Sequence, residues 1–305
     1  MSGGAQEARR RHGNVAFMGL VRMPAVIACL AVLAALVLAP AAEGRGRADV
    51  AALQVALRAL GLYSGSVDGI RGPGTRAGVR SLQRRRGLVV DGIVGPATRR
   101  ALGRRGRPGI GTRVIAGNAR GWDVSALQFR LAWRGFPSGA VDGGFGARTR
   151  AALRRFQAWA GLHPDGVAGP ATWRALRRPA PRSRLRFAWP SGAPLGDRFG
   201  PRGDRFHSGV DFTAGWNAPV RAAGRGCVTV ATHTGDGYGR LVVIRHRRGM
   251  TSWYAHLNRI DVRPGQCLTA GRRVGLVGSS GRSSGPHLHF ELRVRDAAVN
   301  PLTGL

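Results

Sequence analysis

The segment His287-Leu288-His289-Phe290-Glu291-Leu292 alternates polar and apolar residues without interruption. Alternation with a period of two is typical of a β-strand that is buried on one face. Two histidines separated by one residue then lie on the same face, where one can bind a metal ion and the other can stand beside it. The segment therefore predicts a half-buried β-strand with a polar site on one face.

Two motifs upstream supply further side chains for such a site. His207-Ser-Gly-Val-Asp211 is predicted as a loop that enters a strand, with both end residues on the same side. Tyr254-Ala-His256 adds a histidine on another predicted strand. A catalytic zinc site needs three nitrogen or oxygen donors and an open position for water. Two imidazoles and one carboxylate meet that requirement, so the three motifs together predict a metal site with catalytic partners.

Two other histidines, His233 and His246, are better explained as structural residues. Each stands alone on an apolar segment, and a lone histidine there is more often a core or surface residue than a ligand. His-x-x-x-Asp or His-x-His alone would also be a weak indication. The specific indication is the presence of both motifs in this order with Tyr-Ala-His between them.

Residues 188–305 form the predicted domain, which resembles the catalytic domain of lysostaphin-type (LytM-like) zinc metallopeptidases in motifs and in their order. The resemblance implies one Zn²⁺ per catalytic domain. It also implies two kinds of site residue, which are the metal ligands His207, Asp211 and His289 and the catalytic histidines His256 and His287. Which of the two catalytic histidines acts as the general base stays open. Some family members carry an assisting tyrosine upstream, where this chain offers Phe199.

The chemistry that this resemblance implies is amide hydrolysis. Zinc lowers the pKa of bound water to about 7 and polarises the scissile carbonyl. A neutral histidine can take the proton of that water, and a protonated one can stabilise the oxyanion or donate to the leaving amine.

An internal duplication precedes this domain. Residues 50–102 align without gaps on residues 124–176, and 28 of the 53 aligned positions are identical. Each copy predicts three short helices, and in the first copy these cover Val50–Leu60, Gly74–Arg86 and Pro96–Leu102. Each copy resembles the three-helix peptidoglycan-binding domain found beside many wall hydrolases, which implies peptidoglycan as a partner. The alternative is a helical solenoid, for which two copies would be few.

The N-terminus predicts export. Basic residues up to Arg22 precede the apolar run 25–39, and Ala39-Pro40-Ala41 follows it, as in a signal peptide. The run is shorter than the roughly 20 residues that span a membrane, so no transmembrane anchor is expected after cleavage. The expected location is secreted or extracytoplasmic, associated with the cell wall. Val26-Ile-Ala-Cys29 resembles a lipoprotein box only superficially, because the apolar run continues beyond it.

Removal of this leader leaves two cysteines, Cys227 and Cys267, both in the catalytic domain. An even pair in an oxidising compartment predicts a disulfide, with two free buried thiols as the alternative.

The composition is strongly basic, with a formal net charge of +33, and all 48 basic residues are arginine. Such a charge raises the possibility of nucleic-acid binding. The arginines are scattered, however, and no nucleic-acid motif is present, so no nucleic-acid partner is expected. Anionic cell-wall polymers are the more plausible partners. A nucleic-acid binder would instead show strongly salt-dependent DNA affinity.

The chain is thus predicted to be multidomain, with two small three-helix all-α modules followed by an all-β, antiparallel-sheet metallopeptidase domain. The predicted segments are the signal peptide 1–41, a module over 49–103, a linker over 104–121, a module over 122–177, a linker over 178–187 and the peptidase domain 188–305. The predicted function is that of a secreted bacterial zinc metalloendopeptidase that cuts peptidoglycan stem peptides or cross-bridges. The alternatives are an N-acetylmuramoyl-alanine amidase and a non-catalytic wall-binding scaffold.

Overall fold

A computed structural model of the chain describes residues 47–305, so the predicted signal peptide 1–41 lies outside the described residues. The described residues form one compact unit, in which a helical part is followed by an antiparallel β part. This arrangement confirms the order of fold classes predicted from the sequence. No helix in the described part of the chain has the length and apolar character needed to cross a membrane.

The α-helices of residues 47–305 all belong to the two copies of the repeat, and the first helix of each copy begins two residues before the aligned range. They are α1 Ala48–Arg58, α2 Pro73–Arg85, α3 Pro96–Ala101, α4 Trp122–Trp133, α5 Ala147–Trp159 and α6 Pro170–Ala175. Pro73, Pro96 and Pro170 each begin a helix, where the missing N–H costs no intrahelical hydrogen bond. In the first copy the start at Pro96 is the predicted one, whereas the other two helices begin at Ala48 and Pro73 rather than at the predicted Val50 and Gly74.

A buried glutamine stabilises each Asp-Gly turn of the repeats. Gln54 donates from Nε2 to Oδ1 of Asp68 at 2.7 Å and accepts the N–H of Gly69 at 2.8 Å. The same pattern recurs with Gln83 and Asp91-Gly92, with Gln128 and Asp142-Gly143, and with Gln157 and Asp165-Gly166. The buried amide of each shared glutamine thus finds its hydrogen-bond partners in the neighbouring Asp-Gly turn, as a buried polar group must.

The two copies pack together through their first helices. Ala51 of α1 and Ala126 and Phe129 of α4 belong to one buried cluster. The segment predicted as a linker, 104–121, also packs against its neighbours, because Ile115 is fully buried and forms an isolated bridge with Ala168. The helical part is therefore a single packed body.

The β part is built from eleven strands. They are β1 Gly200–Arg202, β2 Arg205–His207, β3 Val210–Phe212, β4 Pro219–Arg221, β5 Gly226–Thr234, β6 Gly239–Arg245, β7 Met250–Ile260, β8 Cys267–Leu268, β9 Arg273–Val277, β10 Leu288–Val294 and β11 Ala297–Val299. Nine form an antiparallel sheet whose main path is β11-β10-β7-β6-β5-β8, while β3 pairs with β10, and β9 pairs with both β7 and β4. Strands β1 and β2 pair only with each other, as a separate hairpin.

The sheet register brings the three sequence motifs together. His289 in β10 pairs with Asp211 in β3 on one side and with Ala255 in β7 on the other. Tyr254 and Phe290, which alternate with the polar residues, are fully buried in the main core on the opposite face. The hydrophobic effect therefore fixes which face of β10 carries the histidines.

A disulfide joins Cys227 in β5 to Cys267 in β8. The two residues are register partners in the antiparallel pair, and their Cα atoms are 3.9 Å apart. The covalent bond therefore ties the short edge strand β8 to β5.

Candidate metal centre

Three side chains converge at the end of strands β2, β3 and β10. Oδ1 of Asp211 lies 3.1 Å from Nε2 of His207 and 2.9 Å from Nδ1 of His289, and the two nitrogens are 3.0 Å apart. All three residues are buried. Gly209 permits this approach, because a Cβ there would collide with the carbonyl oxygen of Phe290 and the ring of His289.

The outer hydrogen bonds of the two histidines decide which ring atoms face the centre. Nδ1 of His207 donates to the carbonyl oxygen of Arg198 at 2.9 Å, and Nε2 of His289 donates to Oε1 of Glu291 at 3.0 Å. In the neutral rings the lone pairs therefore lie on Nε2 of His207 and Nδ1 of His289. Two lone pairs and a carboxylate oxygen within about 3 Å repel one another unless a cation joins them. The donor set suits a divalent metal ion, with the outer partners orienting each ring.

The pKa shifts within the cluster reflect the same need for positive charge. Burial acts to raise the pKa of Asp211, but hydrogen bonds from His207 and His289 hold it well below its usual range. Burial acts to lower the pKa of His289, but Asp211 and Glu291 outweigh it and raise that pKa to about 9. The two carboxylates beside His289 thus favour positive charge at this cluster.

Glu291 is a site residue that the sequence analysis did not single out as functional. It is fully buried, and its carboxylate accepts hydrogen bonds from Ser208 at 2.6 Å, from Tyr238 at 2.8 Å and from Arg293 at 2.7 Å, besides that of His289. Burial acts to raise its pKa, but the charge of Arg293 and the bond from His289 lower it below the usual range. Its position two residues after His289 on an alternating strand was the available indication.

The two remaining histidines lie side by side at the cleft. Nδ1 of His256 donates to the carbonyl oxygen of Ser280 at 2.8 Å, and Nδ1 of His287 donates to that of Gly285 at 2.9 Å. Their rings are 4.8 Å apart, and Nε2 of His287 lies 3.8 Å from Oδ1 of Asp211. Each ring is therefore held through one nitrogen and leaves Nε2 for chemistry.

His256 also has an unusual backbone. Its φ is +60°, in the left-handed region that non-glycine residues seldom occupy. Its N–H donates to the carbonyl oxygen of Tyr238 at 2.9 Å, which holds this conformation at a bulge in β7. Burial, followed by the neighbouring charges of His289 and His287, lowers the pKa of His256 to about 4. The imidazole is therefore neutral at neutral pH.

An open cleft of about 880 Å³ lies over the cluster. Its walls come from residues 196–289, and among the described residues none from the helical repeats lines it. Arg202, Arg205 and Arg282 form part of the walls.

The structure places His233 and His246 outside this cleft. His233 is exposed on β5. His246 is buried, its Nδ1 donates to the carbonyl oxygen of Arg225 at 2.8 Å, and its Nε2 lies 2.8 Å from the hydroxyl oxygen of Ser252. Neither histidine therefore reaches the cluster of His207, Asp211 and His289.

The fold and the motifs correspond to two known protein families. Residues 205–301 match Peptidase family M23, and residues 46–102 and 120–176 each match the putative peptidoglycan binding domain. The chain therefore carries an M23 peptidase domain after two copies of that binding domain, which confirms the resemblance stated from the sequence.

Among its relatives is the DD-carboxypeptidase/endopeptidase Mpg of Neisseria meningitidis serogroup B, which is 43% identical over 99 residues, or 32% of this chain and 23% of that protein. The peptidoglycan DD-endopeptidase ShyA of Vibrio cholerae is 35% identical over 149 residues, 46% of this chain and 33% of ShyA. The chain thus covers a third or less of either relative. The crystallised catalytic domain of lysostaphin from Staphylococcus simulans is 32% identical, with coverage of 36% and 90% and a TM-score of 0.34.

Proposed function

We propose that this chain is a secreted, cell-wall-associated zinc metalloendopeptidase that hydrolyses peptide bonds of peptidoglycan stem peptides or cross-bridges. The observation that carries the proposal is the convergence of two imidazole lone pairs and one carboxylate oxygen beneath an open cleft, with two further histidines at its edge. Each repeat is taken as a three-helix wall-binding module that keeps the peptidase near its substrate.

His207, Asp211 and His289 would hold one Zn²⁺. The ion, when bound, supplies a water molecule of lowered pKa and a positive charge that polarises the scissile carbonyl. Glu291 keeps the proton of His289 on Nε2, so that Nδ1 stays available to the metal. The carbonyl oxygen of Arg198 does the same for His207 through Nδ1.

His256 is assigned as the general base. It is neutral at neutral pH, and its Nδ1–H is engaged by Ser280, so Nε2 carries the lone pair that accepts a proton. His287 is fixed in the same manner by Gly285. When protonated, it donates from Nε2 to the developing oxyanion or to the leaving amine.

Peptidoglycan is proposed as the substrate on two grounds. The two binding-domain copies belong to the same packed unit as the peptidase domain, and the cleft over the cluster is open. The relatives Mpg and ShyA are also named as endopeptidases, and ShyA is named as an endopeptidase of peptidoglycan. An extracytoplasmic location follows from this substrate.

The test measures the release of new free amines from purified peptidoglycan, with and without a chelator, and identifies the fragments by mass spectrometry. His207→Ala should abolish release and His287→Ala should lower its rate by about 10²- to 10⁴-fold. His233→Ala, which replaces a histidine outside the cleft, should leave release unchanged. Fragments with a free lactyl group and an intact stem would instead indicate an amidase. Wall binding without any cleavage by the metal-loaded protein would indicate a scaffold.

A further inference from the structure

The hairpin that ends at His207 lies outside the main sheet. Strand β1 pairs with β2 from Gly200 opposite His207 to Arg202 opposite Arg205, and neither strand pairs with any strand of the nine-stranded sheet. Gly203 in the turn has a φ of +61°. Because the sheet does not hold this hairpin, its position depends on other contacts.

The two helical repeats supply those contacts from equivalent positions. The N–H of Val67 donates to the carbonyl oxygen of Gly203 at 2.7 Å, and the N–H of Val141 donates to that of Asp204 at 2.7 Å. Val67 and Val141 correspond under the 74-residue offset of the duplication. The hydroxyl oxygen of Ser66 also accepts the N–H of Gly203 at 3.1 Å. Consecutive carbonyls of one turn are therefore bound by the same backbone position of two successive repeats.

An aromatic contact joins the second repeat to the hairpin through Phe206 and to the neighbouring Phe199. The ring of Trp133, at the end of α4, lies 5.2 Å from that of Phe206 and 6.4 Å from that of Phe199, and the two phenylalanine rings are 5.0 Å apart. These edge-to-face pairs stabilise a contact beyond the apolar area that they bury. The equivalent residue of the first repeat is Ala59, so this contact comes from the second repeat alone.

The second repeat also attaches to the strand pair that carries His289. The N–H of Ala298 in β11 donates to the carbonyl oxygen of Gly135 at 3.1 Å, and the indole of Trp159 donates to that of Val294 in β10 at 3.2 Å. The repeats thus contact both the hairpin that ends at His207 and the strand β10 that carries His289.

We propose that the paired repeats act as a clamp that positions the β1–β2 hairpin, and with it His207 and the cleft wall that includes Arg202 and Arg205. Trp133 and Ser66 are positioning residues, because neither touches the cluster and each acts through the hairpin. The inference rests on the proposed function in one respect, the role of His207 as a metal ligand. The duplication then has a role in the peptidase site itself, because each copy donates one hydrogen bond to a carbonyl oxygen of the hairpin turn.

The test measures amide hydrogen exchange of the full chain by mass spectrometry, together with zinc affinity in competition with a chromogenic chelator. In Trp133→Ala we expect exchange over residues 199–207 to rise at least about tenfold while segments of β7 keep their protection, because exchange reports local opening. Zinc affinity should fall about tenfold, as for other losses of ligand support. Trp133→Phe should keep hairpin exchange and zinc affinity near their wild-type values. Trp216→Ala, which removes an exposed indole elsewhere, should change neither quantity.

Ser66→Ala tests the first repeat without disturbing packing. Exchange in the peptide containing Gly203 should rise several-fold, whereas Ser64→Ala should leave it unchanged. If Trp133→Ala fails to fold, the comparison of Ser66→Ala with Ser64→Ala alone tests whether the repeats hold the hairpin. Unchanged hairpin exchange in the folded variants would overturn the clamp, and increased exchange with unchanged zinc affinity would overturn its role in positioning His207. Neither readout uses a substrate, so a failure to cleave peptidoglycan leaves this test intact.

Discussion

The buried carboxylate of Glu291 holds Nε2 of His289 at 3.0 Å and thereby turns Nδ1 of the same ring toward Asp211, 2.9 Å away. Arg293 balances the charge of this carboxylate at 2.7 Å and stacks over the ring of Trp253, 3.7 Å from its centroid. A fully buried charge is tolerated only when it is paired and hydrogen-bonded in this way. The orientation of the proposed metal ligand therefore depends on a polar network behind it.

Replacing this carboxylate should weaken the metal centre. In Glu291→Gln, zinc affinity should fall about 10- to 100-fold, because the uncharged amide holds the His289 proton less firmly and presents a donor to Arg293. Competition with a chromogenic chelator measures the affinity. Asp261→Asn, which removes a carboxylate from a surface ion pair with Arg259, should leave it unchanged. An affinity for Glu291→Gln within twofold of the wild-type value would contradict the orienting role.

The two histidines at the cleft should affect turnover without affecting metal content. His256→Ala and His287→Ala should each lower the rate of amine release from peptidoglycan by about 10²- to 10⁴-fold, the usual contribution of a general acid or base. Zinc content, measured by elemental analysis of the purified proteins, should stay at one equivalent. Loss of zinc from either variant would show that its histidine serves the metal rather than the proton transfer.

The disulfide should contribute to the stability of the β part. It closes a sequence separation of 40 residues between Cys227 and Cys267. The double variant Cys227→Ser/Cys267→Ser should lose about 2–4 kcal/mol of unfolding free energy, chiefly because the unfolded chain gains freedom. Denaturant unfolding of the oxidised protein and of the variant measures the difference. If reduction of the wild-type protein does not reproduce the loss, the serines rather than the missing bond are responsible.

Stability should fall in mild acid partly because of His246. Burial lowers its pKa in the folded protein below the ordinary value of 6.5, so the unfolded chain binds its proton more readily. The resulting loss of stability should be absent above a pH of about 6.5 and should grow as the pH falls toward the folded pKa. In His246→Gln, the drop in melting temperature between pH 7.5 and pH 5.5 should be smaller than in the wild type, whereas His233→Gln should match the wild type. Equal drops in all three proteins would rule out this contribution.

The sequence could predict which side chains come together because alternation along a strand determines its faces. Burial of Phe290 forces His289 and Glu291 to the opposite face of β10, and the pairing of His289 with Asp211 joins two motifs that are far apart in the chain. All five residues named from the sequence accordingly meet at one cleft.

Other features depend on contacts that no local pattern encodes. Tyr238 reaches Glu291 from a loop between β5 and β6, and its neighbours in the sequence give no indication of that role. The hydrogen bonds from Val67 and Val141 to the hairpin likewise depend on how the two repeats and the β part pack together, which no local sequence pattern shows. The composition of 104–121 suggested a linker, but Ile115 finds a buried place in the second repeat that could not be inferred from its glycine-rich surroundings.

The contact of Trp133 with Phe199 and Phe206 bears on any chimera that is built with the β part of this chain. If the β part of this chain were transplanted alone, the rings of Phe199 and Phe206 would lose their contact with Trp133 and form an apolar patch exposed to water. The carbonyl oxygens of Gly203 and Asp204 would also lose their hydrogen-bond donors from the repeats. A chimera that keeps activity would need either both helical copies from this chain or a hairpin rewritten with polar side chains at these two positions.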